Sequence, residues 1–486
     1  MAEIIRTQIV IIGAGFGGIG MAIRLKQSGI TDFIILERDP KIGGTWRDNT
    51  YPGAACDVSS HLYSFSFEPN PGWSRMFSPH NEIQDYMYHC YNKYNLAPFT
   101  HLGENVDSMA FDDEQALWIV HTASGKQYHA QFLVNAMGPL NRAVTPDIKG
   151  LENFKGTTFH SSYWNHAYDL TNKKVAVIGT GASAIQIVPN IVNEVKELHL
   201  FQRTAPWIIP KRDRAMKEWE KRLFKTLPFT QRWLRNKVYL INELTAIGMV
   251  INPGILKVLE RLALLFLKKS VPDETLRKKV TPNFSIGCKR ILLSNEYYPA
   301  ICKSNVEVIT DGIAEIKSNS IVTKDGKETA VDAIIFATGF NAAEYPKELI
   351  VKGSKGIVLG DVWESGPEAY LGTAVHGFPN MFLVIGPNTG LGHNSMVFMI
   401  ESQIEYILQS IQLLNKAGKK KIEVKQTVQD EYNKTLQEKL KNTIWNSGCK
   451  SWYTTSTGKN TSIWPGFTFQ FWWKVKHLKA SDFVVE

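Results

Sequence analysis

The chain has 486 residues, enough for two or three domains at roughly 150 residues each. Its 55 Lys and Arg exceed its 46 Asp and Glu by nine, and 44 % of the residues are hydrophobic against 21 % charged, which excludes a disordered chain, a collagen-like repeat and a disulfide-held miniprotein. The positive excess fits solubility or an anionic ligand, and because no nucleic-acid-binding motif accompanies the basic run Lys419-Lys420-Lys421, no nucleic-acid partner is expected.

From the N-terminus, Gln8-Ile9-Val10-Ile11-Ile12 reads as a buried strand rather than a signal peptide. The turn Gly13-Ala14-Gly15-Phe16-Gly17-Gly18 follows, helical spacing runs to about Gln27, and Ser28-Gly29 gives a stop signal. Phe33-Ile34-Ile35-Leu36-Glu37 is then a second strand. Residues 40–150 hold more turn residues, with strands around Trp118-Ile119-Val120 and Phe132-Leu133-Val134. The opening grammar then recurs. Val175-Ala176-Val177-Ile178 is a strand, Gly179-Thr180-Gly181-Ala182-Ser183-Ala184 a turn, 184–192 a helix, and Leu198-His199-Leu200-Phe201 the next strand. This repeats one supersecondary unit and is not a solenoid. Residues 208–285 carry Lys, Arg, Leu and Trp at helical spacing and read as a helical insertion. Residues 331–336 form a further strand, 396–418 a helix, and 446–469 an aromatic, loop-rich segment.

The five cysteines, at 56, 90, 288, 302 and 449, are odd in number, widely spaced and without a Cys-x-x-Cys pair. Neither a disulfide framework nor a zinc site is expected, and a flavin disulfide reductase is argued against. The expected compartment is therefore reducing and cytoplasmic. No run of about 18 uncharged apolar residues exists, so no spanning helix is expected.

Each glycine turn has the strand before it and the helix after it that dinucleotide binding needs. In the first, Gly13 allows the tight turn, Gly15 lets a pyrophosphate approach the backbone, and Gly18 lets the helix pack on the strand. Phe16 and Gly17 then offer N–H groups at the helix start. Gly179, Gly181 and Ala184 hold the same places in the second, with Thr180, Ala182 and Ser183 between them. The following strands end differently. Glu37 stands 24 residues after Gly13, and Arg203 stands 24 after Gly179. A carboxylate accepts hydrogen bonds from a ribose 2′-OH and repels a 2′-phosphate. Arg203, with Thr204 adding a hydroxyl, suits that phosphate. The first site is expected to hold FAD and the second NADPH, although an arginine at a strand end can also be a plain surface residue.

Three further motifs fix the class by resemblance. Phe154-Lys155-Gly156-Thr157-Thr158-Phe159-His160-Ser161-Ser162-Tyr163-Trp164 matches F-x-G-x-x-x-H-x-x-x-W. Gly43-Gly44-Thr45-Trp46, Tyr51-Pro52-Gly53 and Asp57 form a second signature, and Gly287-Cys288-Lys289-Arg290 a third. Together with Ala337-Thr338-Gly339-Phe340, Gly386-Pro387-Asn388 and Ser451-Trp452-Tyr453, they make the chain resemble the type I Baeyer–Villiger monooxygenases, a branch of the class B flavoprotein monooxygenases. Asn165 stands where that family usually has Pro or Asp.

The resemblance implies an α/β fold with two Rossmann-like domains for FAD and NADP and a helical insertion in the NADP domain. Residues 1–150 would open the FAD domain, and 381–486 would close it with a mobile loop. Residues 151–207 and 286–380 would form the NADP domain around the insertion at 208–285. It also implies a reaction: NADPH reduces the flavin, O₂ gives a C4a-peroxyflavin, and attack on a ketone yields an ester or lactone, with sulfides as further substrates. The alternative is a flavin-containing monooxygenase acting on nitrogen or sulfur; a non-catalytic redox sensor is a third reading.

By the same resemblance Arg290 stabilises the oxygen nucleophile and the developing alkoxide, and Asp57 orients it. A structural salt bridge or phosphate contact for Arg290, and a turn cap for Asp57, are the competing readings. Lys289 would support Arg203 at the 2′-phosphate. Trp46 and Tyr63 would pack at the flavin, Thr45 belongs to the same site, and Val106 would give adenine a backbone contact. Trp452 would sit on a loop closing over NADP, and His160 reads as a linker histidine. The stretch 255–267 is amphipathic, and two readings stand: a helix packed inside the insertion, or a peripheral membrane contact.

Overall fold

The computed structural model describes residues 3–342, 349–449, 451, 453–455 and 457–486. Two parallel-based sheets organise them. Strand β1 (Ile4–Ile12), helix α1 (Phe16–Gln27) and β2 (Phe33–Glu37) follow the expected grammar closely. Ile9, Val10, Ile11 and Ile12 of β1 and Phe33, Ile35 and Leu36 of β2 are buried, on both faces of the sheet, as a central parallel strand requires. Strands β3 (Thr100–Leu102), β4 (Val106–Asp112), β5 (Leu117–Thr122) and β6 (Gln127–Asn135) complete this half. β1 lies between β2 and β6, parallel to both, while β4, β5 and β6 run antiparallel as a meander.

The second sheet holds β7 (Thr157–His160), β8 (Lys174–Ile178) and, across helix α2 (Ala184–Ile191), β9 (Glu197–Phe201). Short β10 (Ile208–Ile209) leads into the insertion: α3 (Glu218–Thr226), α4 (Pro228–Ala246), a π-helical turn Ile247–Ile251, and α5 (Leu256–Ser270). Strand β11 (Leu292–Leu293) ends it, pairing parallel with β10. Trp207 C=O accepts from Leu292 N at 2.9 Å, so the two stems of the insertion are held side by side. That closure sets Lys289 and Arg290 next to the end of β9.

β12 (Val306–Ile309) and β16 (Ala333–Phe336) give the second sheet the order β12-β9-β8-β16-β7, parallel throughout, with an antiparallel meander of β13 (Ile313–Ile316), β14 (Ser320–Thr323) and β15 (Glu328–Ala330) attached. The chain then returns to the first sheet earlier than the boundary expected at 381. β17 (Ile350–Lys352) already pairs with β4, before β18 (Met381–Leu383) pairs with β6. Three-residue edge strands leave too short an apolar run to announce themselves. Helix α6 (Met396–Ala417) packs on α1, and α7 (Thr468–Val475) packs on α6.

One cysteine expectation is corrected. Cys288 and Cys449 are joined as a disulfide, leaving Cys56, Cys90 and Cys302 free. Their separation of 161 residues carries no local signal; only the fold brings the two segments together.

Candidate active site

Both glycine turns lie at the C-terminal ends of central strands, where β1 and β8 each have neighbours on either side. That is the crevice in which parallel α/β sheets bind ligands. In each turn the first glycine has positive φ, +100° at Gly13 and +110° at Gly179, and a Cβ there would strike the C=O of the neighbouring strand end, Ala136 or Ala337. The second glycines differ. Gly15 has φ −87°, and a Cβ on Gly15 or Gly181 would meet no atom within 4 Å. Nothing in the folded chain demands glycine at either place, so the open space fits a ligand lying against the backbone. Neither helix start carries a side-chain cap, which leaves N–H groups of the first turn for an anion. Gly18 and Ala184 sit below this surface, where a Cβ on Gly18 would strike Gly13 C=O.

The two turns open into one continuous cavity of about 1520 Å³, larger than the roughly 300–1,000 Å³ of a single-ligand pocket. Gly13, Gly15, Phe16, Gly17, Glu37, Thr45, Trp46, Asp57, Tyr63 and Val106 line it from the first half. Gly179, Thr180, Gly181, Ala182, Ser183, Arg203, Thr204, Lys289 and Arg290 line it from the second. Trp452 lies outside the described residues.

The two ends of the cavity carry opposite charge. Glu37 is buried and accepts from Ala14 N at 2.8 Å, Asp39 N at 3.1 Å and Arg47 Nη1 at 2.9 Å. Two carboxylate oxygens offer about four acceptor positions, so one remains for a ribose hydroxyl. At the other end, burial and the nearby Arg203 charge lower the pKa of Lys289, whose ammonium lies 4.8 Å from the centre of the Phe284 ring. Among the described residues no carboxylate pairs with either cation. Two cations without an anion fit a ligand phosphate. Thr180 Oγ1 donates to Thr204 C=O at 2.9 Å and ties this strand end to the turn.

Between the ends stands an ion pair. Arg290 Nε and Nη2 donate to the two oxygens of Asp57 at 2.7 and 2.6 Å. The Asp57 carboxylate raises the guanidinium pKa above its ordinary value, against the opposing effect of burial. Buried Tyr453 faces the pair, and burial pushes its phenol up to about 12. Trp46 Nε1 donates to Tyr63 OH at 3.2 Å, and the Tyr63 ring meets Phe16 edge-on at 5.3 Å. The segment carrying Asp57 is docked on α2. Tyr51 OH donates to Gln186 Oε1 at 2.9 Å, and Gln186 Nε2 donates to Ala55 C=O at 3.0 Å. The helix of one turn thus supports the Asp57 segment of the other half. His160 stays outside the cavity lining, its Nδ1 2.8 Å from Ser162 Oγ, and burial lowers its pKa.

Comparison with known proteins agrees with this arrangement. Residues 10–247 match the family model of the pyridine nucleotide-disulphide oxidoreductases, a span holding both glycine turns. A Baeyer–Villiger monooxygenase of Pseudomonas aeruginosa is 50 % identical over 98 % of this chain and 91 % of its own length. The chain belongs to the Baeyer–Villiger monooxygenases. An FAD-binding monooxygenase of Aspergillus niger is 35 % identical over 99 % of this chain and 82 % of its own. An oxidised steroid monooxygenase bound to NADP superposes with a TM-score of 0.89 at 27 % identity, covering 99 % of each chain. With the family fixed, four residues of this monooxygenase stand out that the motifs did not single out. Arg47 and Gln186 shape the site by the bonds above, Tyr453 by its place against Arg290, and Cys288 by anchoring the Arg290 segment to Cys449. The available signals were weak: Arg47 follows Gly43-Gly44-Thr45-Trp46 directly, and Tyr453 ends a motif read for Trp452.

Proposed function

We propose that this enzyme converts ketones to esters or lactones, consuming one O₂ and one NADPH per turnover and releasing water and NADP⁺, with FAD as its prosthetic group. The observation that carries the reading is the Arg290–Asp57 pair, set in one cavity between a turn that ends on Glu37 and a turn that ends on Arg203. FAD binds along the first half (1–150, with the segment that returns to the first sheet from β17 onward) and NADPH along the second (151–207 and 286 through β16).

When bound and reduced by NADPH, FAD supplies the activation of O₂. The chain supplies position and charge. Gly13, Gly15, Phe16 and Gly17 hold the FAD pyrophosphate at the start of α1, with Gly18 letting the helix pack beneath them, Glu37 takes the ribose, and Trp46, Tyr63, Thr45 and Val106 wall the pocket. Gly179 to Ser183 do the same for NADPH, with Ala184 in the packing place of Gly18 and Arg203, Thr204 and Lys289 on its 2′-phosphate. Arg290 cannot lose its proton while Asp57 faces it. Its two bonds to Asp57 use Nε and Nη2, leaving Nη1 donors for the ketone oxygen as negative charge develops there. The reductant is an intracellular coenzyme, and the cytoplasm is the proposed compartment.

The test is a product screen with FAD-loaded protein, NADPH and cyclic, linear and aromatic ketones, read by mass spectrometry, beside a panel of sulfides and amines. Esters or lactones are expected, with sulfoxides as secondary products. Amine or sulfide oxidation with no ester from any ketone would transfer the chain to the nitrogen- and sulfur-oxidising relatives.

A further inference from the structure

The insertion is built inside out. In α4 the residues turned to the protein are Gln231, Glu243 and Ala246. Gln231 Nε2 donates to Asn70 C=O at 2.7 Å, Arg235 Nη1 donates to the C=O groups of His61 and Ser64 at 2.9 Å, and Glu243 accepts from Asn394 Nδ2 at 2.6 Å. The residues turned outward are apolar: Phe229, Trp233, Leu240 and Leu244, each at least 60 % exposed. Their spacing of four, seven and four residues keeps them on one helical stripe. Helix α5 repeats the feature. Leu256, Ala263 and Leu267 are buried, and Val258, Leu262 and Leu265 are 57–62 % exposed on the opposite side. The packed reading of 255–267 thus holds for one face only. The turn between the helices adds Ile251 and Ile255, and a Cβ on Gly248 would press on Leu256, so the turn folds against the start of α5. A surface helix ordinarily turns its apolar stripe to the core, and an exposed apolar patch of this extent marks a binding surface.

Charge selects the partner. Residues 208–285 contain 17 Lys and Arg against seven Asp and Glu, an excess of ten, where the whole chain has an excess of nine. The entire positive balance therefore belongs to this insertion. Arg232, Lys237, Lys257, Arg261, Lys268 and Lys269 are all exposed on the same two helices. Lys237 Nζ lies 5.4 Å from the centre of the Trp233 ring, and Lys476 Nζ lies 4.6 Å from that of Trp472 on α7, whose N-terminal Thr468 bonds to Glu243 of α4. Leucine and isoleucine flanked by Lys, Arg and Trp make up the composition of a helix lying in a lipid interface. No helix among the described residues is long and apolar enough to cross a membrane.

We propose that helices α4 and α5, joined through the turn at 247–255, dock the enzyme on the surface of an anionic phospholipid bilayer, with the apolar stripe in the acyl boundary and the cations at the headgroups. The test is co-sedimentation of the FAD-loaded full chain with vesicles of phosphatidylcholine alone or mixed with phosphatidylglycerol. Sedimentation with the anionic vesicles, weakened by salt, is expected. The triple variant Leu244→Glu/Val258→Glu/Leu262→Glu should stay in the supernatant while keeping its FAD and its rate of NADPH oxidation. Lys257→Glu/Arg261→Glu, which leaves the apolar stripe intact, should lower the vesicle partition roughly tenfold or more. Wild-type protein left in the supernatant with anionic vesicles overturns the proposal, as does undiminished sedimentation of both variants. Light scattering that finds a dimer dissociated by Val258→Glu would assign the stripe to a second copy of the chain and overturn it equally.

Discussion

The two glycine turns are the same object with different endings. Both follow a buried central strand. Both begin with a left-handed glycine pressed against the end of a neighbouring strand, and both place the second glycine over empty space. This shared skeleton makes a pyrophosphate seat without specifying a nucleotide. The specification comes 24 residues after each first glycine, at Glu37, the last residue of β2, and at Arg203, two residues past the end of β9. Glu37 is already held by three donors and presents a residual acceptor, whereas Arg203 and Lys289 stand together with no carboxylate among the described residues. On the proposed assignment the backbone selects the ligand class and one side chain selects the member.

The largest effect should come from the group that stands between the two seats. Arg290→Ala is expected to reduce ester formation by on the order of 10²–10³-fold while leaving the rate of flavin reduction by NADPH nearly unchanged. Stopped-flow absorbance and product analysis separate the two. A variant that still makes ester at the parental rate would show the guanidinium to be only a structural partner of Asp57. The next effect tests the seats themselves. Gly15→Val and Gly181→Val put side chains into space the protein does not fill, so each should unfold at nearly the temperature of the parent, both measured free of FAD and NADPH. The first should emerge without its yellow colour, and the second should keep FAD and bind NADPH poorly. If either variant is destabilised by several degrees, the glycine is kept for folding and the likeness of the two turns is superficial. Smaller again is Arg203→Ala. Losing a charged hydrogen bond worth about 1.5–3 kcal/mol should raise the KM for NADPH roughly tenfold or more, with the KM for NADH unmoved. An equal rise for both coenzymes would remove the 2′-phosphate from this end of the cavity.

What could be read in advance divides along similar lines. The strands around both turns carry short apolar runs rich in Ile, Val, Leu and Phe, interrupted only by His199, and their limits are legible to within a few residues because parallel strands buried on both faces carry few polar residues. The opposition of Glu37 and Arg203 was legible for the same reason: equal spacing from equal turns. The meeting of Asp57 with Arg290, 233 residues apart, could be anticipated only through motifs, since no periodicity links a loop of one half to the stem of an insertion in the other. Cys288 and Cys449 were misjudged on the same account. The insertion showed its helices but not their orientation. Amphipathic spacing identifies a stripe, and a reader assigns the apolar side to the core by default; in α4 the core side is Gln231, Arg235 and Glu243.

That inverted helix is what makes the halves unequal, because only the second carries an insertion, and the insertion reaches back to clasp the first. Its clasp includes a titratable group. His61 is 2 % exposed, its Nδ1 is 3.2 Å from Gln231 Nε2 of α4, and its ring meets Phe224 of α3 edge-on at 5.1 Å. Burial pulls its pKa down to about 4, with Glu220 opposing and Arg235 and Arg214 assisting. The unfolded chain takes up this proton near 6.5, well before the folded chain does. Stability from this residue is therefore complete above about pH 6.5, falls as the pH drops, and is exhausted near pH 4. At pH 5 the loss is about 2 kcal/mol, a shift of about 2 °C in the unfolding midpoint of a chain this long. His61→Gln keeps a side chain able to bond Gln231 but cannot take up a proton, so its midpoint should fall less between pH 7 and pH 5 than that of the parent. Equal slopes would mean that the clasp is not pH-sensitive at His61 and that the contacts of Gln231, Arg235 and Glu243 hold the insertion on the first half at either pH.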